Sequence, residues 1–330
     1  MVYSAKANKG LLLLHTGSPA APEPAAVAPY LRRFLMDPFV LEMPRMIRAL
    51  LVHGIIVPFR ARKSAEKYRR IWTDAGSPLQ VHTDAFARAL GALLPGWSIE
   101  TASAYSVPFV SDGVRALCTK KVEEIIVFPL FPHDAGATRG SLKAMVQQAL
   151  EELKDEVPPL VWCPAFYDRA EYLEAMASLC CPALEAFHPD HVLFSYHGLP
   201  LKQAHRAPSE GGALTYEEQS EAGTRLLARY LGLSEENWSL AYQSRFGKGW
   251  LEPSTGSLLL RLLASGKKRV ALIAPSFVAD CLETLEELDE ELRVTFLQSG
   301  GDALLRIPSL NAHPAWIRGA AELICRPLPQ

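Results

Sequence analysis

A chain of 330 residues, 49% hydrophobic and carrying a formal charge of −2, is long enough for two domains with substantial cores. It has no basic run of nucleic-acid type, its six cysteines form no C-x-x-C pair, and its longest apolar stretch, 46–59, is broken by Arg48, His53 and Pro58. That excludes nucleic-acid binding, a disulfide-built scaffold and a membrane span, while 46–59 could still lie on a bilayer surface as an interfacial segment. In chain order, apolar runs predict strands at 11–14, 98–102, 124–129 and 160–163, then at 191–195, 238–242, 270–274 and 293–297. Helical periodicity is predicted between them at 79–94, 141–154, 169–186, 216–231 and 253–264. This βαβ rhythm is that of a mostly parallel, doubly wound α/β fold. The break near 187–190 divides the chain into domains 1–187 and 188–330. Both halves open alike: Leu11 to Pro19 and Val192 to Pro200 each read as apolar strand, polar tip, glycine, one residue, proline. That repetition predicts two similar domains facing each other across a cleft.

Polar residues just beyond a parallel strand's C-terminal end point into the crevice where such sheets bind ligands. His197, in Phe194-Ser195-Tyr196-His197-Gly198-Leu199-Pro200, stands at such a place. Gly198 would allow a sharp turn and Pro200 would stiffen the exit. The imidazole reads either as a metal ligand or general base, or as a loop histidine hydrogen-bonded to backbone. After the strand at 270–274 comes Asp280-Cys281-Leu282-Glu283-Thr284-Leu285-Glu286-Glu287. A helix from Leu282 places Glu283, Glu287 and Glu291 on one face at i, i+4 and i+8. Like charges at that spacing repel, and a cation would relieve them. Glu286, Asp289 and Glu290 read as a solvated acidic face, while Glu283 at the helix start is the residue to back.

Two further segments bear on a ligand. Tyr242 to Pro253 carries Ser244, Arg245 and Trp250 in a glycine-containing loop, suiting a flat aromatic ligand with acidic substituents, or a Trp packed under a loop. In the first half, Arg60 could hold a carboxylate bidentately, with Tyr68 and Ser77 as neutral donors. Gly76-Ser77-Pro78 is also a helix N-cap signal. No Walker A loop, G-x-G-x-x-G, H-E-x-x-H or G-x-S-x-G motif occurs, so neither a nucleotide binder nor a serine hydrolase is indicated.

Taken in order, Gly17-Ser18-Pro19, Phe34-Leu35-Met36-Asp37-Pro38, Gly76-Ser77-Pro78-Leu79, Pro129-Leu130-Phe131-Pro132, His197-Gly198-Leu199-Pro200, Gln243-Ser244-Arg245-Phe246-Gly247 and Asp280 to Glu287 resemble the ferrochelatases. These enzymes, porphyrin metal chelatases of haem synthesis, insert ferrous iron into a porphyrin. The resemblance implies two Rossmann-like domains with the porphyrin in the cleft between them. The first would carry an apolar lip near 34–59, often tied to membrane contact, and the extreme C-terminal helix could return to it. The resemblance makes His197 and Glu283 the catalytic pair and extends the metal or proton path through Glu287 and Glu291, on a helix with a π-type distortion. It puts Arg60, Tyr68 and Ser77 near the porphyrin propionates, with Phe277 and Trp250 lining the cleft and Thr16, Tyr105 and Ser244 among the porphyrin contacts. Imidazole and carboxylate both suit Fe(II), and either can accept a pyrrole proton.

The chain departs from the family pattern where it lacks Gly-Asp-Pro-Tyr in 204–214, carries His15-Thr16 before the first glycine and has His133-Asp134-Ala135 after Pro132. Thr16, where some coproporphyrin-using members have tyrosine, favours protoporphyrin IX over coproporphyrin III. Cys325 alone at the C-terminus, with Gly136 upstream, predicts no iron–sulfur cluster. The expected enzyme is thus a lyase acting on porphyrin and ferrous iron in the cytoplasm. Peripheral contact with the membrane's inner face, and monomer against homodimer, are left open. The alternatives are a chelatase for coproporphyrin III or another tetrapyrrole, and a porphyrin- or haem-binding protein without catalysis. Retention of both His197 and Glu283 argues against the second.

Overall fold

The computed structural model describes residues 8–153, 157–209 and 211–326, so the predicted helix end at Lys154 lies outside the described residues. Among the described residues the chain divides into two compact units, one of residues 8–131, 136–153, 157–164 and 321–326, the other of 132–135, 165–209 and 211–320. The division falls at 164/165 and not at 187/188, because the helix ending at Phe187 belongs to the second unit.

In the first unit the strands are β1 (Lys9–His15), β2 (Ser98–Ser103), β3 (Glu124–Pro129) and β4 (Leu160–Trp162), all parallel, in the order β2-β1-β3-β4. Leu11 to Leu14 are fully buried, as expected of a central parallel strand covered on both faces. Its helices are α1 (Pro24–Met36), α2 (Arg45–Leu51), α3 (Val57–Ile71), α4 (Pro78–Leu93), α5 (Val110–Thr119) and α6 (Ser141–Leu153). Leu12, Leu14, Val114, Leu117, Val127 and Val146 knit β1 and β3 to α5 and α6 in one core.

In the second unit the strands are β5 (His191–His197), β6 (Trp238–Gln243), β7 (Arg269–Ile273) and β8 (Ala303–Arg306), again parallel, in the order β6-β5-β7-β8. Its helices are α7 (Ala170–Phe187), α8 (Leu201–Ala204), α9 (Tyr216–Tyr230), α10 (Thr255–Ala264), α11 (Leu292–Gln298) and α12 (Pro314–Cys325), whose last residues fall in the first unit. The core gathers Leu193, Ala241, Leu259, Leu272, Leu288 and Phe296.

The two sheets share one topology, so β1 and β5, the strands that open the two similar sequence segments, fill the same slot. Strand order reverses beside that slot, and ligands bind at such switch points. One predicted strand is wrong: 293–297 is helical within α11, and the edge strand is β8. Despite its β-branched residues, that run continues the preceding helix and buries only Phe296. The strand forms instead after Gly300 (φ +102°) has turned the chain.

The 46–59 stretch forms α2, a π-helical segment (Val52–Ile56) and the start of α3. Met46, Leu50 and Phe59 are 85%, 71% and 76% exposed. Arg48, which interrupts the run in sequence, is buried and donates to the Leu41 and Met43 carbonyls (3.0 and 3.2 Å). No helix among the described residues is long and apolar enough to cross a membrane.

Candidate active site

His197 closes β5 and is half-buried. Its Nδ1 lies 2.7 Å from the Gly198 carbonyl oxygen. A carbonyl only accepts, so Nδ1 carries a proton, and whenever the ring is neutral Nε2 keeps the lone pair. The backbone-bonded reading of this histidine is therefore the one observed, and the same contact would leave Nε2 of a neutral ring facing away as a basic nitrogen. The ring lies 6.4 Å from that of Phe277, centroid to centroid. Gly198 serves by its bareness: a Cβ there would stand 2.7 Å from the Gln243 carbonyl oxygen and 2.9 Å from Arg245 Cγ.

The acidic segment is a π-helix throughout Glu283–Glu291, closed by the Leu292 N–H donating to the Glu287 carbonyl five residues back. Such segments are rare and concentrate at functional sites. The tip of β6 grips it at two levels. Gln243 Nε2 donates to the Glu283 carbonyl (3.3 Å), while Gln243 Oε1 accepts from Ser195 Oγ (2.7 Å), itself bonded to Thr255 Oγ1 (2.8 Å). One residue on, the Ser244 N–H donates to Glu287 Oε1 (2.7 Å) and its hydroxyl to Glu287 Oε2. Ser244 does this at φ +57°, a left-handed backbone that serine rarely adopts.

Burial pushes the Glu287 carboxyl above the usual range. The Ser244 bonds oppose that rise, as does the positive charge of His197 when its ring is protonated, and the Glu283 carboxylate adds to it. His197 and Glu283 thus both stand close enough to Glu287 to act on its carboxyl. Burial also pushes the Cys281 thiol well up, reinforced by the Glu283 charge, so that thiol stays protonated and poorly nucleophilic.

A second network fixes where the π-helix begins. Asp280, 4% exposed, accepts from Arg306 Nη1 (2.8 Å), Asn311 Nδ2 (2.9 Å), Thr284 Oγ1 (2.9 Å) and the Ser309 N–H (3.3 Å). Burial opposes its ionisation, yet Arg306 and these hydrogen bonds prevail and hold the carboxyl below its ordinary value. The expectation that Glu286, Asp289 and Glu290 form a solvated face fails for two of them. Glu286 is 1% exposed, and Asp289 is paired with Arg306 (3.1 Å) and Arg293. Depth along the axis decides this: within Glu283–Glu291 only Glu290 and Glu291 are exposed, and the residues before them are buried or half-buried.

In the first unit, the tip of β1 carries Thr16, half-buried, whose carbonyl accepts from the Tyr105 N–H (3.2 Å). Gly17 turns there at φ +92°, where a Cβ would overlap Ser103 and Ser106. Ser77 Oγ donates to Ser18 Oγ (2.7 Å), so Thr16, Ser77 and Tyr105 gather at this strand end. His15 is 3% exposed, and its Nδ1 accepts from the Gly17 N–H (3.1 Å), the tautomer opposite to that of His197. Burial lowers its pKa to about 4. Arg60 and Tyr68 share one face of α3, the first half-buried, the second 6% exposed. Tyr105, expected to touch the porphyrin, is 3% exposed and donates to Asp37 Oδ2 (2.7 Å), which makes it part of the core.

The ferrochelatase family profile matches residues 8–328, nearly the whole chain. The chain belongs to the ferrochelatase family. It is a lyase of haem biosynthesis that inserts iron into a porphyrin. It is 38% identical to a ferrochelatase of Bdellovibrio bacteriovorus, covering 96% of this chain and 98% of that one. It is equally 38% identical to a coproporphyrin III ferrochelatase of Streptococcus mutans, covering 96% and 97%. Among solved structures it is similar in fold to SirB from Bacillus subtilis with Fe3+ (TM-score 0.57, 11% identity, 96% of each chain). It is also similar to CbiX, the terminal enzyme of sirohaem biosynthesis in denitrifying bacteria (TM-score 0.53, 15% identity, 98% and 100% covered).

For a ferrochelatase, the predicted metal row has an informative geometry. Among the described residues no three His, Cys, Asp or Glu side chains converge to hold a metal ion, so the row His197, Glu283, Glu287, Glu291 is not a ready-made coordination shell. Glu291 stands on the exposed end of the helix. Ser244 spends both its donors on Glu287, and Trp250 packs against Phe246 (5.6 Å). Sequence reasoning missed Gln243, Ser195 and Thr255 as the support of Glu283. The available signal was a serine inside an otherwise apolar strand and a glutamine at the tip of its neighbour. Nothing local marked Arg306, and Asn311, although part of the Pro308-Ser309-Leu310-Asn311 motif shared with the family, carried no sign that it meets Asp280 31 residues away in sequence.

Proposed function

We propose that the chain is an Fe(II) chelatase acting on protoporphyrin IX, with His197 and Glu283 as its catalytic pair. The observation that carries this reading is the Nδ1 contact of His197: with Nδ1–H donated to the Gly198 carbonyl, Nε2 of the neutral ring is left as base or ligand. Two pyrrole N–H protons must leave as the metal enters, and a neutral imidazole beside carboxylates can accept them at neutral pH. Glu283 takes a proton or meets the cation. Glu287 and Glu291 continue the row toward solvent as stepping points for iron or protons, which an open donor set suits better than a closed metal cage. Half-buried Arg60, with Tyr68, Ser77 and Thr16, would meet the propionates, and Phe277 and Trp250 would lie against the macrocycle. Iron is substrate here; with Cys325 as the one C-terminal cysteine, the chain is proposed to work without an iron–sulfur cluster, as a cytoplasmic protein whose exposed Met46, Leu50 and Phe59 rest on the membrane surface.

Thr16 in place of a tyrosine supports protoporphyrin IX as the porphyrin. Anaerobic Fe(II) insertion into protoporphyrin IX and coproporphyrin III, measured in parallel on wild type and Thr16→Tyr, tests it. Wild type is expected to favour protoporphyrin IX in kcat/KM and Thr16→Tyr to narrow that preference. A wild-type preference for coproporphyrin III would overturn the substrate assignment.

A further inference from the structure

We propose that Tyr216 and Ser276 are positioning residues for the metallation reaction, two hydroxyls that replace a missing strand and fix the backbone of His197. The proposal rests on the reading that His197 carries chemistry.

The need arises from the sheet. On one side β5 pairs with β6 as far as His197 opposite Gln243, and the Gly198 N–H donates to the Gln243 carbonyl (2.8 Å). On the other side its pairing with β7 stops at Phe194 opposite Ile273. Successive residues of a parallel strand send their N–H and C=O alternately to the two neighbours. Since Gly198 addresses β6, the N–H and C=O of His197 address the side where β7 has already ended. Backbone groups left open at a half-buried strand end are costly, and a tip held on one side only would swing.

Both groups are taken by side chains. The His197 N–H donates to Ser276 Oγ (3.3 Å), and the Tyr216 hydroxyl donates to the His197 carbonyl (2.8 Å). With Nδ1 anchored on Gly198, the residue is held at its N–H, its C=O and its ring.

The supports are themselves rigid. Tyr216, 6% exposed, opens α9, whose N-terminus is set by a reciprocal Thr215–Glu218 capping box. Its ring packs 6.0 Å from that of the buried His133. Burial pushes its phenol well above the usual range, so it remains a donor at any working pH. Ser276 lies on the connection from β7 that goes on to Phe277 and Glu283, where the Phe277 N–H donates to the Ala274 carbonyl (3.1 Å). The splice thereby ties the strand bearing the imidazole to the segment bearing the carboxylate.

The experiment compares Tyr216→Phe, Ser276→Ala and Ser276→Thr with a control on the same helix, Tyr230→Phe, whose residue is 42% exposed. Iron-insertion kinetics are paired with spectra of the His197 ring in histidine-labelled protein. Tyr216→Phe is expected to lower kcat by about tenfold with the porphyrin KM within about twofold, and to shift the His197 ring signals. Ser276→Ala should lower kcat by about threefold, and Ser276→Thr, which keeps the hydroxyl, should restore it. Tyr230→Phe should change nothing. Wild-type kcat and unmoved ring signals in both Tyr216→Phe and Ser276→Ala would overturn the splice while leaving the role of His197 intact. Full turnover by His197→Ala would instead remove the underlying reading, and the ring signals alone would then decide whether the two hydroxyls fix this histidine.

Discussion

Replacing Gly198 by alanine tests whether the catalytic geometry depends on the close approach of two strand tips. The added Cβ would stand 2.7 Å from the Gln243 carbonyl oxygen, 2.9 Å from Arg245 Cγ and 3.7 Å from Trp250. The Arg245 stem can yield. The Gln243 carbonyl cannot, because it accepts the Gly198 N–H at 2.8 Å and belongs to the β5–β6 ladder. Reaching ordinary contact, at 3.4 Å, therefore requires the tips to part by about 0.7 Å. The strained hydrogen bond would forfeit about 1 kcal/mol and the overpacking about 1–3 kcal/mol more. The Gly198 carbonyl also anchors Nδ1 of His197, and if that imidazole reacts as proposed, misplacing it on this scale costs on the order of 100-fold in rate. Differential scanning calorimetry and kcat for Fe(II) insertion would be measured beside Gly54→Ala, a site where a Cβ meets nothing within 4 Å. The expectation is a lowered Tm and a collapsed kcat for Gly198→Ala, with Gly54→Ala unchanged or slightly more stable. Wild-type Tm and kcat in Gly198→Ala would refute the reasoning.

Asp280→Asn should cost about 3 kcal/mol, because it leaves the buried Arg306 with Asp289 alone. Since the folded carboxyl titrates below its unfolded value near 3.9, its contribution is complete above about pH 4 and fades as pH falls through the lower folded value. Urea unfolding of both proteins across that range should show the gap closing, and a gap constant with pH would contradict it. Glu287 has the opposite sign. Its folded carboxyl is raised by burial, so wild type gives up stability as pH rises through that value, a loss Glu287→Gln does not suffer. The variant's Tm advantage should grow from acid toward neutral pH, and a flat difference would count against the assignment. Tyr105→Phe removes a donor from the buried Asp37 and should cost about 1–2 kcal/mol, with porphyrin affinity within about twofold of wild type. A tenfold weaker porphyrin affinity, read by fluorescence quenching, would return Tyr105 to the binding surface.

The sheets were legible in the sequence because parallel strands buried on both faces write unbroken apolar runs, as at Leu11 to Leu14. The misread run at 293–297 shows the limit of that signal. Its β-branched residues favour a strand, but the helix already under way from Glu283 carries through it, and a glycine turn delays the strand to β8. The places of His197 at a strand end and of Glu283 at a helix start were readable because apolar runs ending in polar residues mark such ends. Their support was not. Ser276 and Tyr216 meet His197 across 79 and 19 residues of sequence, and a lone serine or tyrosine carries no mark of such a contact. Glu286 failed for a related reason. Charge patterning along one helix describes its faces, whereas burial here follows depth along the axis.

The most direct test of the central claim is single-turnover Fe(II) insertion into bound protoporphyrin IX by wild type, His197→Ala and Glu283→Gln, with porphyrin affinity measured on the same samples. The account predicts that both variants bind the porphyrin within a few-fold of wild type and lose insertion by about 100-fold or more. Insertion at the wild-type rate in His197→Ala would contradict it and move the proton-accepting role away from the tip of β5.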